Sequence, residues 1–303
     1  MNPEGLWFKE IFTDNLIFGY RVKNVLYSGQ SKFQKIDILD LFAYGKTLFL
    51  DNKIQSAQID EHIYHESLVQ PAMFVHPEPK SALIVGGGEG ATLREVLKHK
   101  SVEKAVMVDI DGELVEASKK YLPEWSAGAF DDPRTELVID DARKYVFETD
   151  KKFDVVVSDL TEPLEGGPSK YLFTLEFYEQ VEKILTDEGV LVVQSGSAVQ
   201  MYNDFAASVC KTLKEVFPYV SVYTVYIESF QMLWAFTIAS KKESPDKIEE
   251  KILESRMKTR GVENLSFYLP KYHRGLFHIP RYLDEKLNEG RVLTDAEPYI
   301  WTA

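Results

Sequence analysis

The stretch VGGGEGATLREVLKH, from Val85 to His99, joins an apolar run to a segment with helical spacing. A strand, a glycine turn and a helix in this order are typical of nucleotide-binding sheets, where free amides at the helix start bind a phosphate. Glu89 stands where that phosphate would rest, and its carboxylate would repel an anion. The turn therefore predicts an open sheet with a cationic ligand, unless Glu89 only stabilises the start of the helix.

Strand and helix patterns alternate on the C-terminal side of this stretch. The predicted strands are ALIVG, KAVMVDI, TELVID, FDVVVSDL, GVLVVQSG, YVSVYTVYI and LWAFTIAS. Such alternation predicts a mostly parallel sheet with helices on both faces. The last two runs have no helix between them and should pair as an antiparallel hairpin, an ending that resembles AdoMet-dependent folds. We expect an α/β, Rossmann-like AdoMet-dependent transferase sheet of seven strands.

A different pattern precedes the sheet. From Leu16 to Ser56 apolar residues alternate with a period near two, which predicts a small antiparallel domain of β-hairpins. We expect an N-terminal β domain at residues 1–62 and a catalytic domain with a helical tail at residues 63–303. In that tail, the segment SPDKIEEKILESRMK predicts a helix with Ser244 as its N-cap.

Composition limits the possible functions. A net charge of −13 argues against nonspecific nucleic-acid binding, and every apolar run is far shorter than the roughly 18 residues of a membrane span. Without a secretory signal pattern at the N-terminus, we expect a cytoplasmic protein with no membrane partner. Cys210 is the only cysteine, so no disulfide framework exists, and we expect it in the core. His62 and Glu66 share a helix face, but without an evident third ligand we expect no metal site.

Acidic residues end four of the predicted parallel strands, whose carboxyl ends meet at one edge of the sheet, where ligands bind. They are Glu89 in the turn after the first strand, Asp109 and Asp111, Asp140 and Asp141, and Asp159 with Glu162. Asp109 stands where an acid accepts hydrogen bonds from ribose hydroxyls. Asp141 and Ala142 open a helix, so this aspartate either binds an adenine amino group or caps the helix. Together with the turn glycines Gly86 and Gly88, these acids predict a cationic nucleoside without phosphates.

The loop SDLTEPLEGGP, from Ser158 to Pro168, places Asp159 and Glu162 close together. A primary amine has a pKa near 10.4, so an amine nucleophile needs one group that binds its ammonium and another that accepts its proton. Two neighbouring carboxylates supply both functions. The alternative is a solvated acidic loop without a catalytic role.

The motifs GGGEGATLRE, VMVDID, VIDDA and DLTEP, with SKFQKIDI, YGKTLFLDNKIQS and DEHIYHE upstream, resemble the polyamine aminopropyltransferases, the spermidine and thermospermine synthase family. The resemblance implies transfer of an aminopropyl group from decarboxylated S-adenosylmethionine, a co-substrate, to a polyamine-type amine, with methylthioadenosine released and no separate cofactor. It implies a homo-oligomer, a dimer or tetramer, consistent with hairpin edges that need cover.

The resemblance also implies roles for individual residues. Asp159 is implied as the proton acceptor and Glu162 as an ammonium anchor. The residues implied in donor binding are Gln34, Asp109, Asp141, Ala142 and Pro168. The residues implied in the aminopropyl and acceptor channel are Gln55, Tyr64, His65, Glu89, Gln194 and Tyr226.

Two departures leave the acceptor open. Spermidine synthases commonly carry Asp at the positions of Glu89 and Glu162, and this loop is longer, with LEGGP after Pro163. These features are more similar to the thermospermine synthases and the agmatine or triamine enzymes of thermophiles, so putrescine, agmatine, cadaverine and spermidine all remain candidates. Two other functions compete: an AdoMet-dependent methyltransferase, whose donor carboxylate Glu89 should repel, and a noncatalytic polyamine-binding protein.

Overall fold

Two β-sheets follow one another along residues 4–167 and 169–301, the part of the chain that this computed structural model describes. The first sheet is antiparallel and has its five strands in chain order. Its strands are β1 (Trp7–Thr13), β2 (Leu16–Gln30), β3 (Lys35–Leu41), β4 (Gly45–Leu50) and β5 (Lys53–Ala57). Asp51 and Asn52, with φ of 47° and 61°, form the two-residue turn between β4 and β5, a conformation that Asn and Asp tolerate.

The second sheet confirms the predicted fold class. Its strands are β6 (Ser81–Gly86), β7 (Lys104–Asp109), β8 (Thr135–Ile139), β9 (Phe153–Asp159), β10 (Leu185–Ser197), β11 (Tyr219–Ile227) and β12 (Met232–Ser240). Their spatial order is β11-β12-β10-β9-β6-β7-β8. The pairs from β10 to β8 are parallel, and β12 is antiparallel to both its neighbours. The final hairpin therefore closes the sheet as expected.

Helices cover both faces of this sheet. They are α1 (Glu61–Val75), α2 (Ala91–Leu97), α3 (Gly112–Tyr121), α4 (Pro123–Ser126), α5 (Ala142–Glu148), α6 (Leu175–Ile184), α7 (Asp204–Lys214), α8 (Glu250–Thr259), α9 (His273–Leu276) and α10 (Arg281–Lys286). The central strands carry valine-rich runs that are buried on both faces, as parallel strands between two helical layers require. Cys210 is buried on α7, as expected. Among the described residues, no helix combines the length and the apolar character that a membrane crossing needs.

Strand register brings the predicted acids together. Strand β6 lies between β7 and β9, and Gly86 at its end is paired with Asp159. On the other side, Val85 is paired with Val108, the residue before Asp109. The glycine turn, Asp109 and Asp159 therefore stand side by side at one edge of the sheet.

The C-terminal region differs from its prediction. Ser244 begins a short 3-10 turn, Pro245–Lys247, and helix α8 starts later, with Glu249 as its N-cap. The predicted single helix is interrupted because Ile248 is buried with extended backbone. The tail also contains helices α9 and α10. The predicted domain boundary, between residues 62 and 63, lies in the first turn of α1 and stays a prediction.

Candidate active site

A cavity opens at the carboxyl ends of β6, β7 and β9, between the second sheet and the N-terminal sheet; we call it the first cavity. It encloses about 850 Å³ including its open mouth, a size suited to a nucleoside. Its lining residues are Gln34, Leu48, Leu50, Gln55, Tyr64, Gly86, Gly87, Gly88, Glu89, Val108, Asp109, Ile110, Leu114, Asp141, Ala142, Asp159, Leu160, Thr161, Ser169 and Leu172. Carboxylates therefore face an otherwise largely apolar chamber.

The glycine turn gives a ligand access to the backbone. Gly86 has a φ of 82°, and a Cβ there would collide with the carbonyl of Asp159. A Cβ on Gly88 would lie 2.8 Å from Oδ2 of Asp109 and 2.8 Å from Cδ2 of Leu114. Both positions require glycine because neighbouring groups fill the space of a side chain.

Asp109 is buried at the end of β7, where its Oδ1 accepts a hydrogen bond from the backbone N–H of Asp111, 2.8 Å away. Burial raises the pKa of Asp109 to about 6. Asp111 in turn caps helix α3 and accepts hydrogen bonds from Ser31 Oγ at 2.7 Å and Gln34 Nε2 at 2.9 Å. Gln34 is thus held at the cavity by the N-cap residue of α3.

Asp141 acts as a helix cap. Its Oδ1 accepts hydrogen bonds from the backbone N–H groups of Arg143, at 2.8 Å, and Lys144, at 3.4 Å, while Asp141 and Ala142 both line the first cavity. Oδ1 of the carboxylate is therefore used for capping, and Oδ2 keeps its full acceptor capacity. Pro168, the remaining predicted donor contact, lies outside the described residues.

Glu89 is buried with its carboxylate at the wall of the first cavity. Ser56 Oγ donates a hydrogen bond to Oε2 at 2.6 Å, and His65 Nε2 lies 2.7 Å from Oε1. Ser56 itself accepts a hydrogen bond from Trp125 Nε1 at 2.9 Å. The glutamate is therefore fixed from both sides and is more than a residue that favours the start of α2.

His65 lies behind Glu89, fully buried, and does not line the first cavity. Its Nδ1 lies 2.6 Å from the carbonyl oxygen and 3.1 Å from the carboxylate of Glu61, which pairs with Arg94 at 2.9 Å. Burial disfavours the charged ring, but hydrogen bonds to Glu61 and Glu89 outweigh it and raise the pKa of His65 to about 10. An imidazolium therefore supports Glu89 from the protein side, and the predicted place of His65 in the channel lining stays a prediction.

Asp159 ends β9 at the centre of the cavity. Tyr64 Oη donates a hydrogen bond to its Oδ1 at 2.9 Å, and Thr92 Oγ1 donates one to its Oδ2 at 2.5 Å. Burial raises the pKa of this carboxyl group, against the nearby His65 charge and the hydrogen bond from Thr92, which lower it. The result is an oriented carboxylate with an increased affinity for a proton.

Glu162 lines a second cavity. This cavity adjoins the first, since residues 53 and 54 line the second cavity and the next residue, Gln55, lines the first. The second cavity is lined by Glu10, Phe12, Phe18, Lys53, Ile54, Glu162, Leu164, Ser197, Phe230, Met232, Trp234 and Trp301. Burial raises the pKa of Glu162 to about 7, and burial also raises the pKa of Glu10. The second cavity therefore holds the carboxyl groups of Glu10 and Glu162 and the ammonium group of Lys53 among aromatic side chains.

Lys53 is tied to the N-terminal sheet. Its Nζ donates to the carbonyl oxygen of Ile11 and, at 3.2 Å, to that of Phe12. Burial lowers the pKa of Lys53, and the neighbouring Glu10 and Glu162 oppose that change. The lysine offsets part of the negative charge of the second cavity.

The structure does not place two of the predicted channel residues at either cavity. Gln194 is buried in β10, where Nε2 donates to the Leu160 carbonyl at 2.5 Å and Oε1 accepts from Gly196 N–H at 3.0 Å. Tyr226 is 58% exposed in the single chain and lines neither cavity, and its predicted role in the acceptor channel stays a prediction. Alternation along β11 buries Val225 and Ile227 and turns the residue between them outward. Gln55, by contrast, lines the first cavity.

Several contributing residues were not predicted. Thr92 donates a hydrogen bond to Asp159, and Ser56 donates one to Glu89. Both hydroxyl residues are buried. Their partners are distant in sequence, so spacing carried no signal. Trp301 was also missed, because the tail showed no periodic pattern that connects it to the sheet.

No group of three or more potential metal ligands occurs in residues 4–167 and 169–301. Glu66, considered with His62 as a zinc ligand, instead accepts hydrogen bonds from the backbone N–H groups of Ser266, Phe267 and Tyr268 at 2.8–2.9 Å. That carboxylate joins helix α1 to the C-terminal region and faces away from the site.

Comparison with known proteins gives matches along the whole chain. Residues 61–251 match the Spermine/spermidine synthase domain, and residues 6–58 match the Spermidine synthase tetramerisation domain. A polyamine aminopropyltransferase of Sulfolobus acidocaldarius is 42% identical over 296 residues, covering 97% of this chain and 98% of the relative. Polyamine aminopropyltransferase 1 of Hyperthermus butylicus is 45% identical over 262 residues, covering 86% of this chain and 87% of that protein. A crystal structure of spermidine synthase in complex with the transition state analogue AdoDATO superposes with a TM-score of 0.88 at 35% identity, covering 95% of this chain and 97% of the other.

Proposed function

Because this chain belongs to the spermine/spermidine synthase family and transfers the aminopropyl group of decarboxylated S-adenosylmethionine to an amine, we propose that its acceptor is a primary amine with one further cationic group. Putrescine, cadaverine and agmatine fit this description, and spermidine carries one cation too many. The observation that supports the proposal is the charge balance of the second cavity, which adjoins the first cavity, where Asp159 lies, and holds Glu10, Glu162 and Lys53.

We assign the donor to the first cavity. Asp109 and Gln34 bind the ribose, Ala142 and Asp141 border the adenine, and Glu89 binds the free ammonium of the aminopropyl group. Decarboxylated S-adenosylmethionine ends in that ammonium, whereas ordinary S-adenosylmethionine adds a carboxylate, which Glu89 repels. The same carboxylate thus attracts the correct donor and disfavours the methyl donor.

The transfer is a single displacement. The acceptor nitrogen forms a bond to the carbon next to the sulfonium, the carbon–sulfur bond breaks with its electrons going to sulfur, and neutral methylthioadenosine leaves. Before the attack, the acceptor ammonium gives one proton to Asp159, which Tyr64 and Thr92 keep in place, and the nitrogen thereby gains the lone pair that forms the new bond. Orientation and proton acceptance are the contributions that this chain makes to the rate.

The second cavity suits the distal end of a short amine. Its aromatic side chains Phe18, Phe230 and Trp234 contact methylene groups, and ring faces also attract ammonium or guanidinium groups. When a cation enters, Glu10 and Glu162 both ionise, and with Lys53 charged the cavity retains one net negative charge. One distal cation neutralises that charge, and a second would remain uncompensated.

The test is a competition experiment. Purified protein is incubated with decarboxylated S-adenosylmethionine and equimolar putrescine, cadaverine, agmatine and spermidine, and products are identified by mass spectrometry at early times. We expect one of the first three to be consumed at least about tenfold faster than spermidine, about the discrimination that one unmatched group provides. Preferential consumption of spermidine would overturn the proposed acceptor class without affecting aminopropyl transfer itself.

We also propose that the N-terminal sheet forms the contacts of a tetramer or dimer. Ile11, Ile17 and Val25 are 56%, 58% and 54% exposed in the single chain, and Ile11 is paired with Ile17 across β1 and β2. Exposed apolar residues that lie together are typical of an interface. The match of residues 6–58 to a tetramerisation domain supports this proposal. Light scattering should give an oligomeric mass, and a monomer would contradict it. The cytoplasmic location stays a prediction.

A further inference from the structure

We propose that Trp301, in the C-terminal segment of residues 291–301, forms part of the wall of the second cavity and is a specificity-determining residue which limits the length of the accepted amine. The proposal rests on the assignment of the second cavity to the acceptor. Trp301 lines that cavity and is only 9% exposed. It lies beyond residue 251, where the match to the synthase domain ends, so the domain match gives this tryptophan no role.

Trp301 contacts the loop after β9 and the N-terminal sheet. Its backbone N–H donates to the carbonyl of Pro163 at 2.8 Å, and it forms a parallel bridge with Leu164, two residues after Glu162 in the chain. Its ring lies 5.9 Å from the ring of Phe12, on the N-terminal sheet. The indole thus closes a gap between the loop after β9 and the hairpin of β1 and β2.

The segment is anchored upstream, so the position of Trp301 is determined by the fold. The backbone of Leu293 pairs with Thr212 Oγ1 at 2.9 Å and with the N–H of Leu175 at 2.7 Å. Asp295 accepts hydrogen bonds from Arg143 at 2.6 Å and from Thr174 Oγ1 at 2.8 Å. Contacts from three helices or their ends therefore hold the segment against the catalytic sheet.

An indole in this position has two effects on an acceptor. It supplies an apolar surface for methylene groups, and its volume excludes a longer chain from the far end of the cavity. Removing the ring should weaken binding of a short diamine and reduce discrimination against a longer amine. A residue with a purely structural role would instead affect all substrates and the donor alike.

The experiment compares Trp301→Ala with Trp301→Phe and Tyr299→Ala in the full-length protein. Tyr299 belongs to the same segment but packs on Phe205, with ring centroids 4.9 Å apart, and it does not line the cavity. In Trp301→Ala we expect the ratio of kcat/KM for spermidine to that for putrescine to rise about tenfold. The KM for putrescine should rise and the KM for the donor should stay unchanged. Trp301→Phe should largely restore the parent ratio, and Tyr299→Ala should keep it.

An unchanged ratio and unchanged acceptor KM in Trp301→Ala, with the acceptor KM raised in Glu162→Gln, would overturn the role of Trp301 and leave the acceptor cavity in place. If neither substitution altered the acceptor KM, the assignment of the second cavity itself would fail. Thermal unfolding of each variant shows whether the protein folds. If Trp301→Ala does not fold, Trp301→Leu replaces it, with a smaller increase of the ratio expected, and an unchanged ratio would again overturn the proposal.

Discussion

Replacing Glu89 by glutamine separates the charge of this side chain from its shape. Glutamine keeps the oxygen that accepts the hydrogen bond of Ser56, which is 2.6 Å long in the parent structure. The substitution removes the negative charge opposite the donor ammonium and leaves His65 with Glu61 as its charged partner. The nucleoside contacts at Asp109 are untouched.

The size of the effect follows from the surroundings of Glu89. Two unit charges about 4 Å apart attract by about 4 kcal/mol at an effective dielectric constant of about 20, and desolvation cancels part of this. A hydrogen bond to a charged group retains about 1.5–3 kcal/mol. Because the imidazolium of His65, 2.7 Å away, already offsets some of the charge, we expect a loss near 2 kcal/mol. This corresponds to a roughly 30-fold higher Kd for decarboxylated S-adenosylmethionine.

Isothermal titration with three ligands measures the effect. Decarboxylated S-adenosylmethionine should bind Glu89→Gln about 30-fold more weakly, whereas methylthioadenosine, which lacks the aminopropyl group, should bind within about twofold of the parent. S-adenosylmethionine should bind no more weakly than before, since a repulsion has been removed. Glu61→Gln is the matched control, because it removes the other carboxylate next to His65 without touching the cavity. Equal losses for decarboxylated S-adenosylmethionine and methylthioadenosine, or no loss for either, would refute the charge argument.

Three further predictions concern the other groups of the site. Asp159→Asn should lower kcat by about a hundredfold or more, the usual contribution of a proton acceptor, with methylthioadenosine affinity retained; parent-like turnover would contradict the assigned role. Burial raises the pKa of Glu162 to about 7, so its carboxyl group is mostly neutral at lower pH and charged at higher pH. Putrescine should therefore bind more tightly as pH rises from about 6 to about 8, and titrations of Glu162→Gln should lose that dependence. Gly88→Ala should displace Asp109, because its Cβ would lie 2.8 Å from Oδ2; calorimetry should show methylthioadenosine and the donor weakened alike, by about tenfold, whereas unaltered binding would argue against close packing at the turn.

The sequence predicted those features of the site that depend on local pattern. A residue at the carboxyl end of a parallel strand faces the ligand edge whatever the rest of the chain does, so Glu89, Asp109 and Asp159 could be identified from strand pattern alone. The order of strand and helix was equally informative, because βα alternation leaves few possible topologies. Strand β1, Trp7–Thr13, was missed because the alternating pattern was recognised only from Leu16 onward.

The sequence pattern could not predict features that depend on contacts between distant segments. Thr92 is 67 residues from Asp159, and its role as hydrogen-bond donor appears only when α2 is seen beside β9. The direction of the Tyr226 side chain could not be read from the sequence either, because neighbouring residues of a strand face opposite sides and the choice between them depends on strand register. The position of Trp301 at the second cavity could be known only from the path of the whole C-terminal region.

Asp159 has one further property with practical weight for engineering. Its two oxygens are held by Tyr64 on α1 and Thr92 on α2, two helices that pack directly on each other. Any substitution that shifts one helix against the other also rotates the carboxylate. Efforts to stabilise this chain by repacking that pair of helices will therefore change turnover, whereas the outer faces of α6 and α8 offer positions where stability can be altered independently.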